Sequence, residues 1–159
     1  MFHFFTLRNS LIAFGALVAG YVGLQVMVNI LYAVNQPDLG LWGGAMVYGA
    51  LFEELLKFTI VLGIYRLCRL PVVALLVGIG YGFGERLLYW TASGTLIVQD
   101  FGALGMHTVA GFSSAYFLSK YKITTSRRDL VSALLAPIVV HGIYNTSMWV
   151  WYQWVSLSL

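Results

Sequence analysis

The stretch FEELLKF, residues 52–58, places two glutamates and a lysine inside a long apolar run. A charged side chain in the middle of a membrane span costs several kcal/mol. Such residues therefore persist mainly where they pair, face a cavity or carry out chemistry. The same anomaly returns at Glu85, Arg86, His107 and His141, which also lie in apolar sequence. These residues are candidates for one shared site.

The composition is that of an integral membrane protein. Of the 159 residues, 60% are hydrophobic and 9% are charged, whereas a soluble domain carries about a quarter charged residues. A transmembrane helix needs about 20 mostly apolar residues, and the chain has room for five. The alternating pattern of outer-membrane strands is absent, which favours helices. The basic residues do not form one patch, so the net charge of +3 does not indicate nucleic-acid binding.

The sequence predicts one all-α domain over residues 1–159, a bundle of five transmembrane helices. Arg8, the pair Arg66 and Arg69, and a basic cluster at 120–128 fall on alternate ends of successive spans. The positive-inside rule then places the N-terminus in the cytoplasm and the C-terminus outside. We expect this topology in the cytoplasmic membrane of a prokaryote. The spans are predicted at about residues 11–34, 41–65, 71–91, 101–119 and 129–154.

The first span has a competing interpretation as a signal peptide. The apolar core of a signal peptide is about 7–15 residues long, and this run is longer. A retained helix is therefore the favoured interpretation. The single cysteine, Cys68, excludes an intramolecular disulfide and falls at the predicted inner end of the second span.

Four glycines alternate along the third span, at Gly78, Gly80, Gly82 and Gly84. A nucleotide-binding glycine loop needs a strand, a turn and a helix, which a transmembrane helix does not provide. Within a span, glycines four residues apart form small-xxx-small pairs that let helices approach closely. The pattern predicts close packing around Glu85.

The ionisable residues fall at compatible depths. With a rise of about 1.5 Å per residue, Glu53 and His141 lie about 18 Å from the ends of their spans, and Glu85 about 21 Å. In a hydrocarbon core about 30 Å thick, all three are near the middle. His107 is expected higher, about 9 Å from the outer end of a span that begins at residue 101.

Spacing along single helices predicts local partners. Glu53 and Lys57 are one turn apart in the favourable order, and Glu54 is rotated by roughly 100° from Glu53. Lys57 and Arg86 can neutralise two of the three glutamates, which leaves one carboxylate and two histidines. Uncharged side chains usually hold helices together in membranes, so this set favours function over a purely structural network.

Four motifs occur in order on separate spans: Glu53-Glu54-x-x-Lys57, Tyr81-x-x-x-Glu85, His107, and His141-Gly142-Ile143-Tyr144-Asn145. Together they resemble the PrsW family of intramembrane proteases, within the wider superfamily of CAAX prenyl endopeptidases and bacteriocin-processing (CPBP) proteins. The resemblance covers about residues 50–148. Two positions depart from the family pattern, since Tyr81 stands where Phe is usual and Arg86 where Asn is frequent.

The resemblance implies peptide-bond hydrolysis inside the bilayer by glutamate and histidine. In that interpretation Glu53 is the general base that activates water, and His107 orients it. His141 and Asn145 stabilise the developing oxyanion. Glu54, Lys57, Tyr81, Glu85 and Arg86 surround and support these groups. The substrate would be a membrane-embedded or membrane-adjacent polypeptide, such as a single-span protein or a lipidated chain.

Three alternatives stay open from the sequence. Glu53, His107 and His141 are a recognised type of catalytic zinc set, although the compact H-E-x-x-H signature is absent and a metal-free site is favoured. The chain could instead be a non-catalytic subunit or scaffold that keeps the fold. A proton or ion relay is the third class, because buried carboxylates and histidines also conduct protons.

Overall fold

The computed structural model describes residues 7–33, 42–93 and 98–157. These ranges form five helices and contain no strand, which confirms the all-α prediction. Each predicted span overlaps one helix. The helices are α1 (Leu7–Ala33), α2 (Trp42–Cys68), α3 (Val72–Ser93), α4 (Val98–Thr124) and α5 (Arg127–Leu157).

The helices form a ring whose interior holds an apolar core cluster and a group of buried polar side chains. Going round it, α1 packs on α3, α3 on α4, α4 on α5, α5 on α2, and α2 again on α1. Helices α2 and α3 also touch across the ring. Within the described residues no Cα atom of α2 lies within 8 Å of a Cα atom of α4. Contacts between those two helices therefore depend on long side chains.

Two tight turns connect α2 to α3 and α4 to α5. Arg69 and Thr125 adopt left-handed backbone conformations, with φ of 56° and 53°. Each donates its backbone N–H to a carbonyl four residues earlier, at 2.7 and 2.8 Å, which is a common way to end a helix. Ser126 then caps α5 by accepting the N–H of Arg128 at 3.3 Å. Both turns lie beside the basic residues that the sequence places at the inner ends.

Glycines bring α3 and α4 into backbone contact. A Cβ atom built on Gly78 would lie 2.5 Å from the carbonyl oxygen of His107 and 3.1 Å from the Cα of Gly111. A Cβ on Gly82 would lie 3.1 Å from the Cβ of His107. Only glycine allows this approach, so the small residues of α3 set the position of His107.

The other glycines of α3 bring that helix into backbone contact with α1. A Cβ on Gly80 would lie 2.1 Å from the carbonyl oxygen of Leu17, and one on Gly20 would lie 2.3 Å from that of Val77. Helix α1 therefore packs against the other side of α3. The prediction of close packing by small residues is confirmed on both faces.

The outward surface of the bundle is apolar. Large hydrophobic side chains are exposed on every helix, including Phe14 (67%), Phe52 (61%), Phe112 (62%) and Ile143 (63%). By length and apolar composition, one of the described helices, α5, is suited to crossing a membrane, and 17% of its apolar window is buried. The structure thus shows five helices, one of which meets this test for a membrane span.

The glycine contact between α3 and α4 yields a stability prediction. Gly78→Ala should lower the free energy of unfolding by about 1–3 kcal/mol, because its new methyl group meets backbone atoms that cannot rotate away. Gly105→Ala is the matched control, since a Cβ on Gly105 meets nothing within 4 Å. Thermal unfolding of both variants in detergent measures the difference. Equal stability of the two variants would contradict the packing.

Candidate functional site

The centre of the ring holds a buried ion pair on α2. The Lys57 ammonium donates to Oε1 of Glu54, three residues earlier on the same helix. Both residues are 4% exposed. The sequence predicts that Lys57 pairs along its own helix, with Glu53 four residues earlier as the favourable partner. The pairing within α2 is confirmed, but the choice of Glu53 is wrong, because the ammonium pairs with Glu54. Glu53 is thereby left for other partners.

His107 on α4 lies between this lysine and a carboxylate on α3. Its Nδ1 is 2.8 Å from Lys57 Nζ, and its Nε2 is 2.7 Å from Oε2 of Glu85. The residue is fully buried, and the Tyr81 ring packs edge-on against its imidazole with centroids 5.0 Å apart. Both ring nitrogens therefore have charged partners.

His141 on α5 meets the same ion pair from the other side. Its Nδ1 lies 2.9 Å from Oε1 of Glu54, the oxygen that also accepts from Lys57. The two imidazoles are nearly perpendicular, at 87°, with centroids 5.1 Å apart. Glu54 thus hydrogen-bonds to Nδ1 of His141, just as Lys57 hydrogen-bonds to Nδ1 of His107.

Glu53 faces both histidines without bonding directly to either. Its Oε2 is 4.0 Å from Nε2 of His107 and 3.9 Å from Nε2 of His141. That oxygen is buried and has no hydrogen-bond partner among the described residues, although the Glu53 side chain is 18% exposed. The Tyr81 hydroxyl also hydrogen-bonds to the Glu53 carboxyl group. Both separations exceed the length of a direct hydrogen bond.

The described contacts join seven of the nine residues singled out in the sequence into one cluster. The expectation that His107 lies above the other groups is wrong, because α4 extends outward at least to Val98 and lowers His107 by about one turn. Arg86 places its guanidinium over the Phe101 ring at 4.0 Å and belongs to none of the ion pairs that the structure describes. Asn145 lies one turn beyond His141 and is half-buried.

A small cavity adjoins the cluster on the side of the two tight turns. It touches Glu54, Lys57 and His107, and its volume of about 20 Å³ is room for about one water molecule. The rest of its wall includes Gly111, Ser114 and Pro137, none of which the sequence analysis singled out. Pro137 carried the clearest signal, since a proline inside a helix one turn before His141 removes a backbone hydrogen bond.

Glu53, His107 and His141 each offer one ligand atom, all within 4.8 Å of one another, and could hold a metal ion. Two ligands of a tetrahedral zinc ion stand about 3.4 Å apart, which is closer than the 3.9 and 4.0 Å found here. Zinc would also need Nε2 of His107, which Glu85 already engages at 2.7 Å. The arrangement therefore fits zinc only after the ligands close and His107 leaves Glu85.

Comparison of the chain with protein-family profiles, with curated proteins and with solved structures gave no match.

The geometry predicts stability effects of very different size for two adjacent glutamates. Glu54→Gln should cost about 3 kcal/mol or more, because it removes the counterion of a buried lysine. Glu53→Gln should cost much less, because it removes no counterion and its Oε2 makes no hydrogen bond in the described structure. Thermal unfolding of the two isosteric variants compares them directly. A larger loss for Glu53→Gln would show that the ion pair is wrongly assigned.

Proposed function

We propose that this protein is an intramembrane endopeptidase that hydrolyses a peptide bond with water activated by Glu53. The observation that carries the proposal is the position of Glu53 Oε2. It is buried, it has no hydrogen-bond partner among the described residues, and it lies about equally far from Nε2 of His107 and of His141. A carboxylate oxygen so placed can accept a proton from a water held between it and the two rings.

Insertion in the membrane as five spans is part of the same proposal. The described helices carry apolar side chains outward and bury Glu54, Lys57, His107 and His141, which is the arrangement expected in hydrocarbon. The two tight turns carry the basic residues, consistent with a cytoplasmic N-terminus and an external C-terminus. The bilayer would then surround the bundle with hydrocarbon, in which buried charges are costly and persist mainly where they serve a function.

The reaction follows from the position of Glu53. As the water oxygen bonds to the carbonyl carbon of the substrate, one water proton passes to the Glu53 carboxylate. The carbonyl oxygen becomes an oxyanion, which the histidine and amide donors of the site can stabilise. The C–N bond then breaks, and the proton held by Glu53 passes to the leaving nitrogen. Glu53 ends the cycle ionised, with a carboxylic acid and an amine as products.

The resemblance to PrsW-like proteases supports this reaction and suggests the substrate class. The motifs at Glu53, Glu85, His107 and His141 are those that now converge around one point. A site near the middle of the helices favours a single-span protein or a lipidated polypeptide that enters between helices. We propose that Arg86, stacked on Phe101, is a supporting residue outside the reacting groups.

A proton relay is a second candidate, favoured by one observation. Hydrogen bonds run without interruption from His141 through Glu54, Lys57 and His107 to Glu85. Such a chain of titratable groups can conduct protons in a membrane. Glu53 stands beside the chain, so a relay would not require it. Hydrolysis would require it.

The topology can be tested with the single cysteine. Cys68 is half-buried at the inner end of α2. A membrane-impermeant maleimide should leave it unlabelled in intact cells and label it after permeabilisation. Ser156→Cys in a Cys68→Ala background should show the reverse, with labelling from outside. Labelling of Cys68 in intact cells would overturn the proposed orientation.

The catalytic assignment predicts separate effects on cleavage and on folding. Glu53→Gln should reduce cleavage by about 10²-fold or more, the usual contribution of a general base, while the protein still folds. Purified protein in nanodiscs would be incubated with a library of single-span peptides in heavy-oxygen water. Mass spectrometry then reads new carboxyl groups that carry the label. Phe52→Leu, changed at a 61% exposed neighbour, should cleave as the native protein does.

The same assay separates the rival functions. Full cleavage by Glu53→Gln would reject Glu53 as the base, and no cleavage by the native protein would leave a relay or a scaffold. One tightly bound zinc per chain, lost together with activity in His141→Ala, would replace the metal-free mechanism by a metal-dependent one. We expect cleavage to persist in the presence of a zinc chelator.

A further inference from the structure

We infer that Lys57 and Glu54 hold the two histidines in opposite tautomers, so that His141 accepts a hydrogen bond from the reacting water and His107 donates one to the oxyanion. The inference rests on the proposed hydrolysis for its chemical meaning. It reverses the roles that the resemblance implies, in which His107 orients the water and His141 stabilises the oxyanion. The support for these tautomers comes from the hydrogen bonds that Lys57 and Glu54 make to the two rings.

The tautomer of His141 follows from its shared partner. Oε1 of Glu54 accepts from the Lys57 ammonium and also lies 2.9 Å from Nδ1 of His141. In its ion pair with the Lys57 ammonium, Glu54 is an ionised carboxylate, which only accepts hydrogen bonds. Nδ1 of His141 must therefore donate. In a neutral ring the lone pair is then on Nε2, the atom that faces Glu53 at 3.9 Å.

The tautomer of His107 follows from the other end of the same ion pair. A lysine ammonium has three donors and no acceptor, so Nδ1 of His107, 2.8 Å from Lys57 Nζ, must accept. The neutral ring then carries its proton on Nε2. That N–H donates to Oε2 of Glu85 at 2.7 Å and lies 4.0 Å from Oε2 of Glu53. Nε2 is thus a hydrogen-bond donor on His107 and a hydrogen-bond acceptor on His141.

This difference between the two rings would orient a water molecule bound beside Glu53. A water there has two O–H donors and finds two acceptors, Oε2 of Glu53 and Nε2 of His141. Its lone pairs are then free to attack a carbonyl carbon on the side of His107. The N–H of His107 is the donor nearest to where the carbonyl oxygen gains charge, and it can be shared between Glu85 and that oxyanion.

Lys57 and Glu54 are positioning residues in this arrangement, since each acts through a histidine. A side chain that fixes which ring nitrogen carries the proton is a known determinant of histidine function. Their pairing within one turn of α2 makes the two tautomers interdependent.

The test is the protonation of the ring nitrogens, read by NMR on protein with isotope-labelled histidine in nanodiscs. A His3→Gln background leaves only the two rings of interest. We expect His107 to carry its proton on Nε2 and His141 to carry its proton on Nδ1. Identical tautomers, or the reverse pair, would overturn the inference.

Two variants assign the cause. Lys57→Met should shift the Nδ1 resonance of His107 and release its single tautomer, while Glu85→Gln should leave the tautomer unchanged because a glutamine carbonyl still accepts from Nε2. An unshifted His107 in Lys57→Met would reject Lys57 as the positioning group. If Lys57→Met fails to fold, Lys57→Met combined with Glu54→Gln leaves no unpaired charge and tests the same shift of His107.

The spectra need no substrate, so the two proposals can fail separately. If the two histidines have opposite tautomers but no peptide is cleaved, hydrolysis is rejected and the tautomer assignment is kept. Cleavage with identical tautomers would reject the inference and leave hydrolysis standing.

Discussion

The buried ion pair between Glu54 and Lys57 is the interaction on which the site depends. It forms within one turn of α2, and its two ends reach different helices: Glu54 bonds to His141 on α5, and Lys57 to His107 on α4. Because α2 and α4 have no described Cα atoms within 8 Å of each other, they meet through side chains, and the hydrogen bond from Lys57 to His107 is one such connection. Two charges buried together are costly, and either one buried alone costs more, so the pair holds all three helices in register.

The glycines of α3 make this connection possible from the other side. With Gly78 against the His107 carbonyl oxygen, α4 lies close enough for its histidine to reach both Lys57 and Glu85. A side chain at that position would push α4 outward, and hydrogen bonds of 2.7 and 2.8 Å do not survive a displacement of about 1 Å. Backbone packing and the polar network are therefore two parts of one constraint.

The sequence was sufficient for the number of helices and for most members of the site, because charges in apolar runs are conspicuous. It favoured Glu53 over Glu54 as the partner of Lys57, but spacings of three and of four both place a pair on one helix face, and contacts with the other helices decided for Glu54. The depth of His107 was misjudged because the start of a helix cannot be read to within a turn from hydropathy. The partner of Arg86 and the tautomers of the histidines depend on contacts between helices, which spacing along one helix does not encode.

Glu53 and Glu54 are adjacent and chemically identical, and the difference in their surroundings argues for a site over a structural network. Glu54 accepts from a lysine and a histidine, which stabilises its charge. Glu53 has a buried oxygen that no described donor reaches, an arrangement that costs about 1–3 kcal/mol or more. A network that only held helices together would gain stability if a histidine donated a hydrogen bond to this oxygen, yet neither neighbouring histidine does so. A general base requires such an oxygen, because an oxygen already satisfied by fixed donors cannot accept a proton from water.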